Sequence, residues 1–271
     1  MLTKIVRLSG ILLIVLFCAI SVFFSLAQRD LTPFDEQLNK ITSYPSFFED
    51  RFYDIRMKAT MDESVHSKEV AFVYIDEETL GKYGRWPLSR NVWSELIKKL
   101  AIYSPKVIGF DVFFVEPEIA CNQKSPDEIF SSTIKEVQSK GVNIILPYSL
   151  SYKIEGHKND RNFDEFPMEL ADHMISSKIV AGKSLLEFEV SKNAWPLPSL
   201  LEEGPSLGHI ESIQDADGIY RHYYLVANVE DLYFPSFALS AYQLYADDSP
   251  KLTRNSAGDA FLNLKNGKIG L

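Results

Sequence analysis

Two short apolar runs, each followed by a carboxylate, stand out in the hydrophobic pattern of the first half of the chain. Val70–Ile75 precedes Asp76, and Val107–Phe110 precedes Asp111. Both runs are rich in β-branched and aromatic residues and contain no charged residue. Such runs are typical of strands that are buried on both faces of a sheet.

The segment between these predicted strands has the spacing of a helix, with apolar residues at Val92, Trp93, Leu96, Ile97, Leu100 and Ala101. Ser89 or Asn91 can cap the start of this helix, and Pro105 stops it. A strand, a long crossover that contains a helix, and a second strand form a βαβ unit. The two strands are therefore expected to be parallel.

A second helix and a third strand continue the same order. The sequence Ser-Pro-Asp-Glu at residues 125–128 combines a cap, a proline suited to the first turn, and acidic residues that the helix dipole favours. The helix is expected to reach Lys140, where Gly141 ends it, and Val142–Tyr148 is the third strand. The predicted fold class is α/β, with an open, mainly parallel sheet flanked by helices.

The second half of the chain predicts an additional hairpin region. Leu207–Ile213 and Ile219–Val226 have the composition of strands, and a turn that contains Asp215, Asp217 and Gly218 separates them. Asp and Gly supply the positive φ angles that such turns need, which favours a hairpin.

A final helix and a small hairpin are predicted near the end. Phe237–Tyr245 is helical, with Ser236 as its cap. Asn266 and Gly267 have the sequence of a tight turn between two short strands. Because the pattern stops without a polar terminus, we expect the folded domain to be truncated at its C-terminal end.

The N-terminal segment Leu8–Ala27 carries no charge and follows Lys4 and Arg7. It matches the ~20 apolar residues that a bilayer-spanning helix needs. Basic residues before the segment favour a cytoplasmic start, which places everything after Gln28 outside the cytoplasm. The alternative is a cleaved signal peptide, because Ser25–Ala27 has the small residues that cleavage requires.

These patterns divide the chain into three parts. Residues 1–28 are the cytoplasmic start and the transmembrane helix that anchors the chain, residues 29–68 are juxtamembrane stalk helices with a loop, and residues 69–271 are the extracytoplasmic domain. Apolar residues recur at helical spacing from Pro33 to Lys58. The stalk is expected to rise from the membrane, to pack over the sheet, or to do both.

Composition and charge exclude several classes of protein. The chain has 271 residues, of which 46% are hydrophobic and 13% aromatic, as in globular proteins. Its net charge of -9 and the absence of a basic stripe argue against a nucleic-acid partner. Cys18 and Cys121 are not expected to pair, and no Cys/His cluster has zinc spacing. The sequence predicts no metal site and no cofactor.

The two strand-end carboxylates, Asp76 and Asp111, are candidate ligand-binding residues. In open α/β sheets, ligands bind in the crevice at the carboxyl ends of the strands. Two carboxylates there can hold a cation or the amine of a ligand. The alternative is that each caps the turn or helix that follows it.

The loop between the first strand and its helix contains Arg85, Trp86 and Pro87, and Arg90 follows it. Either arginine can hold an anionic ligand bidentately, and Trp86 can form one wall of a pocket. The alternative, which we favour, is a structural lock: the proline fixes the loop, the tryptophan packs on the sheet, and an arginine pairs with one of the strand-end carboxylates.

Other chemical motifs are absent from the sequence. Asp215, Asp217 and Gly218 lack the further carboxylates of a calcium loop and are expected to form only a turn. The sequence contains no phosphate-binding loop, and no G-x-S-x-G nucleophile elbow follows a strand. No catalytic residue is therefore predicted.

Several ordered blocks together resemble one family, the type-2 CHASE domain. The similarity is carried by I-D-E-E-T-L-G-K-Y-G-R-W-P-L-S-R at residues 75–90, G-F-D-V-F-F-V-E-P-E at 109–118, L-G-H-I-E-S-I-Q-D-A-D-G-I-Y-R at 207–221 and Y-F-P-S-F-A-L-S-A-Y at 233–242. The resemblance extends from about Phe47 to Tyr245. Leu88 departs from the family, which often has an aromatic residue at that position.

The resemblance implies the periplasmic sensory domain of a bacterial receptor in the inner membrane. Such domains control cytoplasmic effectors, here most often adenylate or guanylate cyclases, and otherwise histidine or Ser/Thr kinases. It further implies that this chain is not itself an enzyme, that it forms a homodimer through its stalk, and that it binds an unknown small-molecule or envelope ligand. Two alternatives are an extracytoplasmic metal-dependent hydrolase that uses Asp76 and Asp111, and a non-enzymatic envelope scaffold.

Overall fold

The computed structural model describes ten stretches of the chain: residues 49–62, 64–65, 67–119, 125–152, 167–177, 188–190, 194–212, 214–215, 217–255 and 259–271. The chain divides into two units, Met1–Tyr74 and Ile75–Leu271. Within the described stretches, no helix is both long enough and apolar enough to cross a membrane. The predicted anchor Leu8–Ala27 lies outside these stretches, so the anchor and the three-part division stay predictions.

The first unit contains a helical stretch at residues 49–60, as the apolar spacing predicts. The strand predicted at Val70–Ile75 is wrong, because residues 70–75 belong to no strand. The side chains of Phe72 and Tyr74 are 75% and 76% exposed, and their rings stack with centroids 6.0 Å apart. An apolar run favours extended backbone, but a strand also needs a neighbour that accepts its backbone hydrogen bonds. No described strand pairs with this run.

The second unit begins with two helices. Helix α1 covers Glu77–Tyr83, which the hydrophobic pattern does not predict. Helix α2 covers Arg90–Ala101, and Ser89 is its cap, since the Ser89 side chain accepts a hydrogen bond from the backbone N–H of Asn91.

The next helix, α3, covers Pro126–Ser139 and carries Asp127 and Glu128 in its first turn, as predicted. Gly141 follows it with a φ of 85°, the left-handed conformation that commonly ends helices.

Eleven strands are described: β1 (Val107–Gly109), β2 (Asn143–Tyr148), β3 (Leu150–Tyr152), β4 (Ser176–Ser177), β5 (Phe188–Val190), β6 (Ser206–His209), β7 (Val226–Val229), β8 (Leu232–Pro235), β9 (Lys251–Arg254), β10 (Ala260–Leu264) and β11 (Gly267–Gly270). The remaining helices are a 3-10 helix at Met168–His173, α4 (Pro198–Leu201) and α5 (Phe237–Ala246).

A parallel sheet in the order β1-β2-β6 forms the centre of the second unit. The predicted class of α/β with a parallel sheet flanked by helices is confirmed. The third strand of this sheet is β6 and not the predicted strand Val70–Ile75. Strand β2 lies between its two neighbours, with Ile144 opposite Ile108 and Tyr148 opposite His209. Its residues from Ile144 onward are buried, which accounts for the apolar run.

The hairpin predicted around the Asp-Gly turn is wrong. Leu207, at its start, belongs to β6 and pairs with β2, whereas β7 pairs with β8. The prediction of this pairing rested only on the Asp and Gly residues of the turn. The apolar character of β6 reflects instead its place in the parallel sheet, where three of its four residues are buried.

The C-terminal elements agree with the sequence. Helix α5 is capped by Ser236, whose hydroxyl accepts a hydrogen bond from the backbone N–H of Leu239. Strands β10 and β11 form the predicted hairpin, with Leu264 opposite Gly267. They belong to a four-stranded sheet in the order β11-β10-β9-β4. Leu252 and Leu262 of this sheet share a smaller hydrophobic cluster with residues of β7, β8 and α5.

Candidate functional site

Asp76 acts as the cap of α1. Its Oδ1 accepts hydrogen bonds from the backbone N–H of Thr79 at 2.9 Å and from the Thr79 hydroxyl at 2.7 Å. These two bonds hold the pKa of the Asp76 carboxyl below its ordinary value, with the hydroxyl contributing most. The capping role considered for this residue therefore accounts for its position at the start of a helix.

The structure does not join the other predicted site residues to Asp76. Asp111 and Arg85 are exposed. Among the residues that the structure describes, no hydrogen bond or ion pair links Asp76 or Asp111 to Arg85 or Arg90. The same residues contain no group of three or more His, Cys, Asp or Glu side chains placed to hold a metal ion.

Arg90 is buried, and its partner is Asp127 rather than either strand-end carboxylate. Arg90 Nε lies 2.9 Å from Asp127 Oδ1, and Arg90 Nη2 donates to the carbonyl oxygen of Glu116 at 2.9 Å. The other Asp127 oxygen accepts from the backbone N–H of Glu118 at 2.8 Å. The guanidinium also lies over the Phe114 ring, 4.7 Å from its centroid. These contacts join the start of α2, the segment after β1, and the start of α3.

Trp86 packs at the edge of an aromatic cluster. Its ring lies edge-on to Trp93 with centroids 6.1 Å apart, and Trp93 in turn contacts Phe110 and Phe114 at 5.8 and 5.7 Å. The Trp86 side chain is 51% exposed, so one side of it faces solvent. The Trp-Pro loop is thus anchored by aromatic packing on one side and remains open on the other.

Asp215, Asp217 and Gly218 lie at a turn that the Arg221 side chain stabilises. The backbone N–H of Gly218 donates to the carbonyl of Asp215 at 2.8 Å, and Gly218 has a φ of 80°. The buried guanidinium of Arg221 lies 2.9 Å from Asp215 and 2.8 Å from Asp217. Arg221 holds the pKa of the Asp215 carboxyl low, and His222 adds a weaker contribution. Because Arg221 pairs with both carboxylates, these side chains serve to stabilise the turn.

A second polar group lies at the carboxyl ends of two adjacent parallel strands. Tyr148 ends β2 and His209 ends β6, and the two are partners in the strand register. Both are almost fully buried. Their rings lie 6.4 Å apart, and the Trp195 ring lies 5.5 Å from that of Tyr148.

Two atoms of this group have no hydrogen-bond partner among the described residues: Tyr148 Oη and His209 Nε2. His209 Nδ1 accepts from the backbone N–H of Glu211 at 3.4 Å. The carboxylate of Glu211 accepts from Ser149 Oγ and from the backbone N–H of Leu150. Glu211 thereby links the segment after β6 to the segment after β2.

Burial dominates the electrostatics of this group. It lowers the pKa of His209 to about 3, which keeps the imidazole neutral near neutral pH. It also raises the pKa of the Tyr148 hydroxyl, and the nearby charge of Glu211 acts in the same direction. No sequence motif indicates these residues, because a histidine and a tyrosine 61 positions apart share no motif spacing. The apolar runs in which they stand are the sequence feature that could have indicated these two residues.

A family model for the CHASE2 domain matches residues 22–269, which is most of the chain. The chain belongs to the CHASE2 family. CHASE2 domains are extracytoplasmic sensory domains of signalling receptors, as the resemblance implied. No curated protein and no solved structure gives a significant match.

Within this CHASE2 domain, the carboxyl edge of the parallel sheet carries two polar clusters of different character. The cluster around Arg90 and Asp127 is fully paired within the chain. In the cluster around Tyr148 and His209, two buried polar atoms have no hydrogen-bond partner among the described residues, which makes it the better candidate for ligand binding.

Proposed function

We propose that this CHASE2 domain senses an extracytoplasmic ligand and controls a cytoplasmic adenylate or guanylate cyclase. The observation that carries the proposal is the family match over residues 22–269. The apolar segment Leu8–Ala27 with its preceding basic residues supports an anchor in the inner membrane and a periplasmic domain.

The sheet supports the sensing half of the proposal. Ligands of open α/β sheets bind at the carboxyl ends of the strands, where Tyr148 and His209 lie. A ligand transmits a signal only if it binds two arrangements of the receptor with different affinity. Strand β6 is suited to such coupling, because His209 also forms a β-bridge with Ser236 at the start of α5.

The test compares cyclase output with and without the sensor. The gene that encodes this chain is expressed in full in cells that lack their own cyclase, and cyclic nucleotide is measured. A matched version lacks residues 69–271. We expect cyclic nucleotide in both, and regulation by envelope extracts only in the intact receptor. Equal output from both versions under all conditions would contradict a sensory role, and absence of cyclic nucleotide would contradict the choice of effector.

A further inference from the structure

The Tyr148–His209 pair occupies a fixed position on one face of the parallel sheet. The two residues are register partners on adjacent strands, so their side chains point to the same side. Tyr148 is 1% exposed and His209 is 0% exposed. Two hydrogen-bonding groups that are so completely withdrawn from solvent need partners, because an unsatisfied buried group costs its full desolvation free energy.

The protonation of His209 defines what the pair offers. The imidazole is neutral, and its Nδ1 accepts from the backbone N–H of Glu211. The ring proton is therefore assigned to Nε2, which becomes a donor. Tyr148 Oη can donate and accept. The described residues supply no partner for either atom.

The surrounding charge selects among possible ligands. The charge of Glu211 acts on the Tyr148 hydroxyl, and this disfavours an anion at the pair. An ammonium group has no lone pair and therefore cannot accept the hydrogen bond that Nε2 offers. The chemistry of a hydroxyl group matches both atoms, since its oxygen can accept from Nε2 and its proton can be donated to Tyr148 Oη.

An aromatic wall completes the site. The Trp195 ring lies 5.5 Å from the Tyr148 ring at an interplanar angle of 65°, and Trp195 is 9% exposed. Binding sites for small molecules combine such apolar and aromatic surfaces with a few polar groups that orient the ligand. The aromatic surface here suits the C–H groups of a ligand whose hydroxyls reach the pair.

We propose that Tyr148 and His209, together with Glu211 and Trp195, bind a small neutral polyol or sugar through one of its hydroxyl groups. This inference rests on the proposed sensory function and names the ligand class for that function. The alternative occupant is an internal water molecule.

The test uses glycerol and glucose as neutral probes, with acetate and ethylammonium as charged probes. Binding to the full 271-residue chain is followed by NMR, through the imidazole Nε2 resonance of His209. We expect a neutral probe to bind and the charged probes not to bind.

Tyr148→Phe removes one hydroxyl, and His209→Asn removes the Nε2 donor while keeping an acceptor near Nδ1. For Tyr148→Phe, binding is followed through the remaining His209 signal; for His209→Asn, it is followed by the probe's own saturation-transfer signal. Each substitution should raise Kd roughly tenfold, the effect of one hydrogen bond.

The matched control is Tyr233→Phe, which removes the hydroxyl of a buried tyrosine in the smaller hydrophobic cluster. This variant should bind the probe with unchanged affinity. The proposal is wrong if neither neutral probe binds, or if Tyr148→Phe binds as tightly as the unsubstituted chain. It is also wrong if the Nε2 proton contacts only water at every probe concentration.

Cyclase output separates this inference from the function on which it rests. If the intact receptor is regulated but Tyr148→Phe leaves that regulation unchanged, the site is wrong and the sensory function stands. If the probe binds as expected but no cyclic nucleotide is made, the site stands and the proposed effector is wrong.

Discussion

Two sets of buried polar side chains in this domain differ in how they are satisfied. Arg90 has its charge paired with Asp127 and its remaining donor capacity directed to a backbone carbonyl. Tyr148 and His209 are more deeply buried than Arg90, but each keeps one atom without a partner among the described residues. The first group has the character of a structural lock, and the second that of a site kept ready for a ligand.

Replacing Arg90 is predicted to destabilise the domain strongly. Arg90→Met leaves the Asp127 carboxylate buried without its cation, and breaking a buried pair in this way costs about 3–5 kcal/mol. The measurement is the free energy of unfolding from urea denaturation at neutral pH.

The matched control for that substitution is Lys98→Met, which removes the exposed ion pair between Lys98 and Glu136. Exposed pairs contribute only ~0–1 kcal/mol, so this variant should remain near the stability of the unsubstituted chain. Equal losses in the two variants would show that the buried pair has no special structural role.

The neutral state of His209 predicts a dependence of stability on pH. Its pKa falls from 6.5 in the unfolded chain to about 3 in the folded one. Between these values the unfolded chain binds a proton that the folded chain does not. The free energy of unfolding should therefore fall as pH falls below 6.5, by up to about 1.4 kcal/mol per pH unit.

The comparison that isolates this effect is between the unsubstituted chain and His209→Asn. Burial also lowers the pKa of His173, so a residual dependence should persist in the variant. The melting temperature, followed from pH 7 to pH 5, should drop more steeply in the unsubstituted chain. Parallel curves would mean that the pKa of His209 is the same in the folded and unfolded chains.

At the scale of elements, the approach of β6 to the start of α5 sets the geometry of the sheet edge. A Cβ atom added at Gly208 would lie 2.4 Å from the Cα of Phe237 and 2.7 Å from its backbone nitrogen. Because these are backbone atoms, no side-chain rotation can relieve the overlap. The glycine thus permits the contact that brings His209 next to Ser236.

Gly208→Ala is predicted to destabilise the domain by about 1–3 kcal/mol, the usual cost of forcing an extra carbon into a packed region. Gly81→Ala is the control, since Gly81 lies inside α1 with no atom within 4 Å of an added Cβ. There the same change should be neutral or stabilising by up to ~1 kcal/mol, because alanine favours helix more than glycine does. Thermal unfolding of both variants tests the contrast, and a neutral Gly208→Ala would contradict the close approach.

At the scale of the whole molecule, we propose that the receptor is a homodimer in which the stalk helices meet. Support comes from the helical apolar spacing of Pro33–Lys58 and from the exposure of Phe52 and Ile55, at 63% and 61%, in the helical stretch 49–60. Apolar side chains spaced along one side of a helix are suited to contact with a second helix.

Single cysteines placed from Leu38 to Phe52 test the dimer in membranes. Cys18 and Cys121 are first replaced by serine so that no other thiol reacts. Disulfide crosslinks should recur about every 3.5 positions, the period of two helices in contact. Crosslinking that is uniform, or absent at every position, would contradict the stalk interface.

How far the sequence predicts the structure differs from element to element. The spacing of apolar residues and the residues at helix starts correctly predicted α2, α3 and α5, because helices are specified by nearby residues. The capping side chains of Ser89 and Ser236 bond as expected, whereas Ser125 precedes α3 without a side-chain capping bond. The apolar run of strand β2 correctly predicted a strand, because its residues from Ile144 onward are buried. The run Val70–Ile75 has the same character but forms no strand, since its composition does not determine whether a partner is available.

The candidate site shows the same limit. The sequence drew attention to Asp76, Asp111, Arg85 and Arg90 by their proximity to two apolar runs. The structure makes Asp76 a helix cap and gives Arg90 a partner, Asp127, that lies 37 positions further along the chain. A carboxylate in the first turn of a helix is so common that nothing in the sequence distinguishes this one.

The sequence by itself determined the α/β class, the CHASE2 family, and helices α2, α3 and α5, because each depends on local patterns or on ordered blocks of residues. The tertiary structure alone decided that β6 joins the parallel sheet and that Tyr148 and His209 become neighbours. Strand pairing depends on which distant segments meet, and a strand carries the same periodic pattern whichever partner it finds. The site that we propose exists only through that choice of partner.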